Sequence, residues 1–199
     1  MKLLAFVDLH SDFKQLKVLI AKAKEKQPDL LVCAGDISDF GRDIENIFRE
    51  LSQLKIPMLI IPGNHESASS IDYLCKKFKF AVNIHRGCYE INEYSFFGYG
   101  ESGFSEEDPD FDKLAVKFKK EIKENTKVIL VTHAPVYGTK TDYISSLGHR
   151  GNKSIRRFIE EVNAKLVICG HFHETATQID RIKNTVVINP GKFGKIILV

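Results

Sequence analysis

The residues of this chain that could do chemistry recur at the ends of its apolar runs. Asp8-Leu9-His10 follows the run 3–7, Gly35-Asp36 follows 30–34, and Gly63-Asn64-His65-Glu66 follows 58–61. His133 closes the run 128–132, and Gly170-His171-Phe172-His173 follows 166–169. Asp, Asn and His without Cys form a borderline-to-hard donor set. Such a set suits Mn, Fe, Co, Ni or Zn in an open site rather than a closed structural zinc. The spacings Asp8-x-His10 and His171-x-His173 set two side chains on one side of an extended segment, because side chains alternate with period two. Each pair is expected to present two donors to one place.

Taken singly, each motif has an ordinary explanation. Asp36 could cap a following helix, and Asn64 could occupy a left-handed turn. A lone strand-end histidine is usually a hydrogen-bonded structural residue. Taken together, these explanations require unrelated causes for metal-type residues at five successive strand ends. Ligands of open α/β sheets bind beyond the carboxyl ends of the strands. One convergent site is the simpler account.

The elements that must position these residues follow from the hydropathy pattern. The five short apolar runs read as strands buried on both faces. Helical spacing appears at Phe13, Leu16, Ile20 and Ala23, and again at Ile44, Ile47, Phe48, Leu51 and Leu54. A third helix starts near Pro109, with Phe111, Leu114, Phe118 and Ile122 on one face, and a fourth carries Ile155, Phe158, Ile159 and Val162. Residues 88–99 read as a hairpin turning at Asn92-Glu93. The C-terminal part reads as strands over 175–182, 185–189 and 195–199, with a turn at Lys183-Asn184. The expectation is one mixed α/β domain over residues 1–199, with two facing sheets, helices outside them, and functional loops at 100–110 and 138–152.

Composition narrows the functional classes. The 199 residues carry 29 basic and 26 acidic side chains, a net +3 too mild to argue for nucleic acid. The lysine clusters 22–26 and 117–120 read as solvated helix faces. No 18-residue apolar run exists, so no membrane span is expected. The opening run stops at Asp8 with no small-residue cleavage site after it, which favours a first buried strand over a signal peptide and makes the cytoplasm the default location. Cys33, Cys75, Cys88 and Cys169 lack CxxC spacing, and Cys33 and Cys169 read as packed strand residues.

The ordered series Asp8-x-His10, Gly35-Asp36-x-x-Asp39, Gly63-Asn64-His65-Glu66, His133 and Gly170-His171-x-His173 resembles the calcineurin-like metallophosphoesterase superfamily. It runs from residue 8 to 173, nearly the whole chain. The resemblance implies a four-layer α/β-β/α sandwich and a centre of two divalent cations, manganese first, with Fe, Zn, Ni or Co as alternatives. Asp8, His10 and His173 would hold one cation, Asn64, His133 and His171 the other, and Asp36 would bridge them. Two such ions roughly 3.5–4 Å apart clamp a phosphate and acidify a bridging water. The hydroxide so formed attacks phosphorus in line with the leaving oxygen. His65 matches the family's non-ligand histidine, which protonates the leaving alkoxide or stabilises the equatorial oxygens, with Asp39 or Glu66 as its orienting carboxylate. The stretches Tyr137-Gly138-Thr139 and His149-Arg150-Gly151-Asn152 are similar to a branch of small phosphoesterases. They make Tyr137, His149 and Arg150 candidate substrate contacts. Asn189-Pro190-Gly191 is similar to the closing turn of small members.

The resemblance leaves several activities to weigh. Protein serine/threonine phosphatases carry arginines where this chain has Phe40 and Pro62, with Arg42 displaced. Repair nucleases usually add a capping domain and a DNA-binding surface. Non-catalytic scaffolds typically lose ligand histidines or the equivalent of His65, and here every such position is filled. The expectation is a metal-dependent phosphoesterase acting on small phosphodiesters or nucleotides, because nothing resembles the paired arginines that hold a dianionic monoester.

Overall fold

The computed structural model describes residues 1–103 and 105–199; Phe104, within the expected functional loop 100–110, lies outside the described residues. One sheet has the order β13-β1-β2-β3-β4. Its strands β1 (Lys2–Phe6), β2 (Leu30–Cys33), β3 (Met58–Ile60) and β4 (Ala81–Asn83) run parallel, and β13 (Lys195–Leu198) lies antiparallel to β1. The other sheet has the order β11-β12-β10-β7-β6-β5. Here β6 (Tyr94–Tyr99), β7 (Lys127–Thr132), β10 (Leu166–Ile168) and β12 (Thr185–Ile188) run parallel. The edges β5 (Cys88–Ile91) and β11 (Ile179–Ile182) are antiparallel.

Strand alternation sorts the apolar residues into layers. Leu3, Ala5, Val32 and Leu59 from the first sheet meet Phe96, Ile129, Val131 and Ile168 from the second, forming the core between the sheets. The opposite faces carry Leu4, Phe6, Leu31 and Ile60, and Phe97, Leu130, Val167 and Cys169. The first of these faces packs on α1 (Phe13–Lys26), α2 (Ile44–Ser52) and α3 (Ala68–Lys77). The second packs on α4 (Pro109–Glu121) and α5 (Lys153–Val162) through Phe111, Phe118, Phe158 and Ile159. The result is the expected four-layer α/β-β/α sandwich.

Local chemistry sets the helix starts. Asp12 caps α1 by accepting from the Lys14 and Gln15 amides, and Asn152 caps α5 by accepting from Ile155 N at 2.8 Å. Asp108 caps α4, whose first turn contains Pro109.

The hydropathy pattern missed α3 and β4. The helix buries only Ile71 and Leu74, and the strand has three residues on the sheet edge, so neither gives a long periodic signal. The expected strand over 175–182 is shorter: His173–Thr175 form a 3-10 turn and the strand begins at Ile179. The loop 138–152 contains a two-stranded hairpin of β8 (Tyr143–Ile144) and β9 (Gly148–His149). No helix among the described residues is long and apolar enough to cross a membrane.

Candidate metal centre

The parallel strands of both sheets end on the same side, and the expected donors meet there. Their backbone is not extended, however. Asp8, His10, Asp36 and His171 have φ of 56°, 48°, 48° and 72°, and His173 opens the 3-10 turn. The side chains in Asp8-x-His10 and His171-x-His173 therefore converge through left-handed backbone rather than through strand alternation. That region disfavours residues with a Cβ and persists only where surroundings over-determine it. Here Asp8 N donates to Gly35 O at 3.2 Å and His10 N to Asp36 O at 3.0 Å. The Asp8 carboxylate in turn accepts from His171 N at 3.2 Å, tying the first motif to the last.

The ordinary explanations of Asp36 and Asn64 also fail. Helix α2 begins beyond Asp43, and Asp36 caps nothing there. Asn64 is absent from the positive-φ residues. The glycines beside them serve close approach instead. A Cβ on Gly63 would collide with the Asp36 carboxylate, and one on Gly35 would sit 2.8 Å from His133 Nδ1.

Donor atoms crowd one point. Asp36 Oδ2 lies 3.4 Å from His133 Nε2, 3.6 Å from His10 Nε2 and 3.9 Å from His65 Nε2. Asn64 Oδ1 is 2.9 Å from His133 Nε2 and 3.0 Å from His171 Nδ1. His10 Nε2 faces His173 Nε2 at 3.0 Å, and Asp8 Oδ1 lies 4.0 Å from His173 Nε2. The groups Asp8–His10–His173, His10–Asp36–His65 and Asp8–Asp36–His133 each gather ligand atoms within 4.8 Å.

This arrangement fits cations. The fully buried His133 ring sets Nδ1 3.0 Å from the Ala34 carbonyl, so Nδ1 donates there and a neutral ring turns its Nε2 lone pair toward two oxygens. Such a lone pair facing oxygens needs either a proton on Nε2 or a cation between them. Donors bound at ~2.0–2.2 Å from one ion stand ~3.0–3.5 Å apart, the scale of these contacts.

The protonation equilibria express the same crowding. Burial pushes the Asp8 carboxyl up to about 6, against the pull of His133 and His173. Burial also acts to raise Asp36, but its hydrogen bond and charge interaction with His133 prevail and bring it down to about 2. Burial opposes charge on His133, yet Asp36 and Asp8 raise its pKa above the ordinary histidine value. Burial and the neighbouring His133 bring His171 down to about 4.

His65 sits beside the donors in a different setting. Its Nδ1 lies 3.4 Å from Asp39 Oδ1 and makes no hydrogen bond within the chain. Asp39 is held by Arg42 at 2.8 Å. The Phe40 ring stacks on the imidazole with centroids 4.0 Å apart. Glu66, the other candidate orienter, faces elsewhere. Its buried carboxylate accepts from Ser38 N and Ser38 Oγ, both at 2.7 Å, and from Gly63 N at 3.2 Å. Glu66 thus joins the second-motif loop to the third, a role that motif spacing alone did not reveal.

Two cavities border the donors. One of about 690 Å³ is lined by Asp8, His10, His65, His173, Lys192 and Phe193 among others. The other, about 530 Å³, is lined by His171, His173, Arg150 and Glu106 among others. Of the expected substrate contacts, Arg150 alone reaches these cavities. His149 lines a neighbouring groove, its Nδ1 2.7 Å from Asp142 Oδ1. Half-buried Tyr137 packs beneath Lys153, whose ammonium lies 4.8 Å from the ring centroid. Lys192 and Phe193 were not expected; the only sequence signal was the adjoining turn Asn189-Pro190-Gly191.

A two-sheet sandwich whose strand ends gather Asp, Asn and His donors is suited to holding metal ions. Residues 1–175 match the family model for calcineurin-like phosphoesterase, and the chain belongs to that family, whose members act on phosphoester bonds with divalent metal ions. It is 34% identical to an uncharacterized protein of Methanocaldococcus jannaschii, covering 96% of this chain and 88% of that one. It is 25% identical to a probable glycerophosphodiester phosphodiesterase of Arcobacter nitrofigilis, covering 87% of this chain and 66% of the relative. Among solved structures, a protein of Thermus thermophilus superimposes with a TM-score of 0.76 at 18% identity, over 96% of this chain and 88% of that one.

Glu66→Ala leaves two buried amides and a hydroxyl without their acceptor. It is expected to cost ~2–4 kcal/mol of folding stability, measured by urea unfolding of the metal-free protein.

Proposed function

We propose that the chain is a dinuclear phosphodiesterase of small molecules. Asp8, His10 and His173 would hold one cation, Asn64, His133 and His171 would hold the other, and Asp36 would serve both. When bound, the two ions neutralise the phosphate and acidify the attacking water. The observation that carries the diester preference is the pair of cavities that share His173 as a common wall. A diester needs room for an arm on each side of phosphorus, whereas a monoester needs one. Among the described residues Arg150 is the one arginine lining these cavities, which gives no arginine pair for a dianion.

The chain's own groups complete the reaction. His65 is assigned to proton transfer rather than to metal binding; its Nε2 lies 3.9 Å from Asp36 Oδ2, beside the donors, and its Nδ1 faces Asp39. Asp39 faces Nδ1 and favours a proton there, so Nε2 carries a proton for the leaving group in the charged ring, with Nδ1 directed toward Asp39 and Nε2 toward the substrate. The Nε2 proton goes to the leaving alkoxide. Phe40 covers one face of the ring and limits its access to water. Arg150, already 3.3 Å from Glu106, lies within reach of an anionic oxygen in the second cavity.

Manganese-loaded protein is expected to hydrolyse bis-p-nitrophenyl phosphate with kcat/KM at least about tenfold above p-nitrophenyl phosphate, a difference of about 1.4 kcal/mol in transition-state binding. The reverse ranking, or no turnover with metal bound, would sink the diester reading. His65→Ala is expected to retain about two metal ions by elemental analysis while kcat falls ~10²–10⁴-fold, the scale of general acid catalysis; loss of metal would make His65 a ligand instead.

Metal uptake is also expected to release a proton. The raised pKa of His133 means that metal must displace a bound proton below that pKa. Apparent affinity therefore falls as pH falls, by about tenfold per unit for His133 alone and more steeply once Asp8 also takes up a proton. Calorimetric titration with Mn in buffers of different ionisation enthalpy measures the released proton.

A further inference from the structure

The larger cavity carries a feature that metal binding and proton transfer leave unused. Away from the donors and His65 its lining divides into a charged rim of Asp12, Asp39 and Lys192 and an apolar part formed by Leu9, Ala176, Gly191 and Phe193. Phe193 is 47% exposed, and no aromatic ring among the described residues packs on it. Exposing a phenyl ring in water is unfavourable, so a ring fixed at a cavity wall is more useful to a ligand than to the fold.

The turn that presents this ring is held on every side. Asn189 Oδ1 accepts from Gly191 N at 3.0 Å, and Asn189 Nδ2 donates to Phe172 O at 3.1 Å. Val7 N donates to Gly191 O at 3.3 Å. The Lys22 ammonium donates to Phe193 O at 2.8 Å and Gly194 O at 2.7 Å. Gly191 and Gly194 take the φ of +64° and +65° that the tight reversal requires. The ring is therefore offered by a fixed backbone, which lowers the entropy cost of binding.

The charges at the rim indicate what the ring meets. Both rim carboxylates outside the donor cluster have their own cation. Asp12 pairs with Lys192 at 3.3 Å, and Asp39 pairs with Arg42 at 2.8 Å. The rim is charge-balanced, so neither an anionic nor a cationic arm gains from it. A neutral, flat group can lie against Phe193 while its phosphate reaches the donor cluster.

Resting on the proposed phosphoesterase reading, we infer that Phe193 and the turn 189–194 form a subsite for the planar aromatic arm of the substrate. The substrate class is thereby a nucleoside-type phosphoester rather than one with a glycerol or alkyl arm. Stacking against one phenyl face tolerates any base, because every base has a π-face, so discrimination is against non-aromatic arms and not among bases.

Calorimetry of the manganese-loaded protein with AMP and with glycerol 3-phosphate tests this, since the two monoesters differ in their arms. AMP is expected to bind about tenfold more tightly, the scale of one base–aromatic stack. Phe193→Ala should remove most of that ratio, and Phe193→Tyr should keep it. Equal affinities in the parent protein, binding of neither ligand, or a ratio that survives Phe193→Ala would overturn the subsite. Turnover of bis-p-nitrophenyl phosphate by the same preparation separates the two conclusions. A retained AMP preference without turnover would sink the reaction and support the subsite; turnover with equal affinities would sink the subsite alone.

Discussion

The structure turns on one electrostatic requirement: oxygen and nitrogen acceptors must face one another at the buried ends of two sheets. Asp36 Oδ2 lies 3.4 Å from His133 Nε2, and Asn64 Oδ1 lies 2.9 Å from the same nitrogen. Without a proton or a cation between them, such contacts are repulsive and desolvated. The carboxyl of Asp8 at about 6 and that of Asp36 at about 2 are two outcomes of this crowding. Burial dominates the first, and the partnership with His133 dominates the second. Neighbouring carboxylates are thus pushed apart in proton affinity by a few ångströms of placement.

Holding such a cluster together requires an unusually determined backbone. Left-handed Asp8, His10, Asp36 and His171 are each disfavoured. Amide bonds from one motif to the next offset this: Asp8 to Gly35, His10 to Asp36, and His171 to Asp8. Glu66 adds the link between the Ser38 loop and Gly63. The cluster is therefore a mesh of loops clamped by the sheets beneath, and each motif depends on the others for its shape. This mutual dependence explains why individual motifs look ordinary in isolation.

It also explains what the sequence could disclose. The five strands, four of the helices and the hairpin at Asn92 follow from short continuous apolar runs, helical spacing and a turn signal. The donors are legible because they fall at strand ends, where topology alone brings them together. What escaped has local physical causes. Helix α3 buries two side chains and β4 spans three residues, too few to make a pattern. The left-handed turns at Asp8 and His171 are imposed by partners far away in the chain, so spacing suggested extended backbone instead. Asp39 and Glu66 follow similar motifs, and only their contacts separate them: one carboxylate meets His65, the other Ser38 and Gly63.

If Phe193 forms the inferred subsite, the scaffold acquires selectivity without disturbing its centre. The donor mesh has little freedom, because a single Cβ at Gly63 would strike Asp36. The side chain at position 193 has more. The geometry of the turn 189–194 depends on Asn189, its glycines and Lys22, and the Phe193 side chain takes no part in those bonds. The ring can therefore change with little consequence for the turn, while the turn keeps whatever stands there aimed into the cavity. Arg150 occupies a comparable position across His173, just after the short hairpin 143–149 and outside the sheets. Chemistry is thus confined to residues that the sheets cannot release, and recognition to residues that the loops can exchange. Fixed donors with replaceable walls are what one would require of a fold that cleaves the same bond in differently substituted molecules.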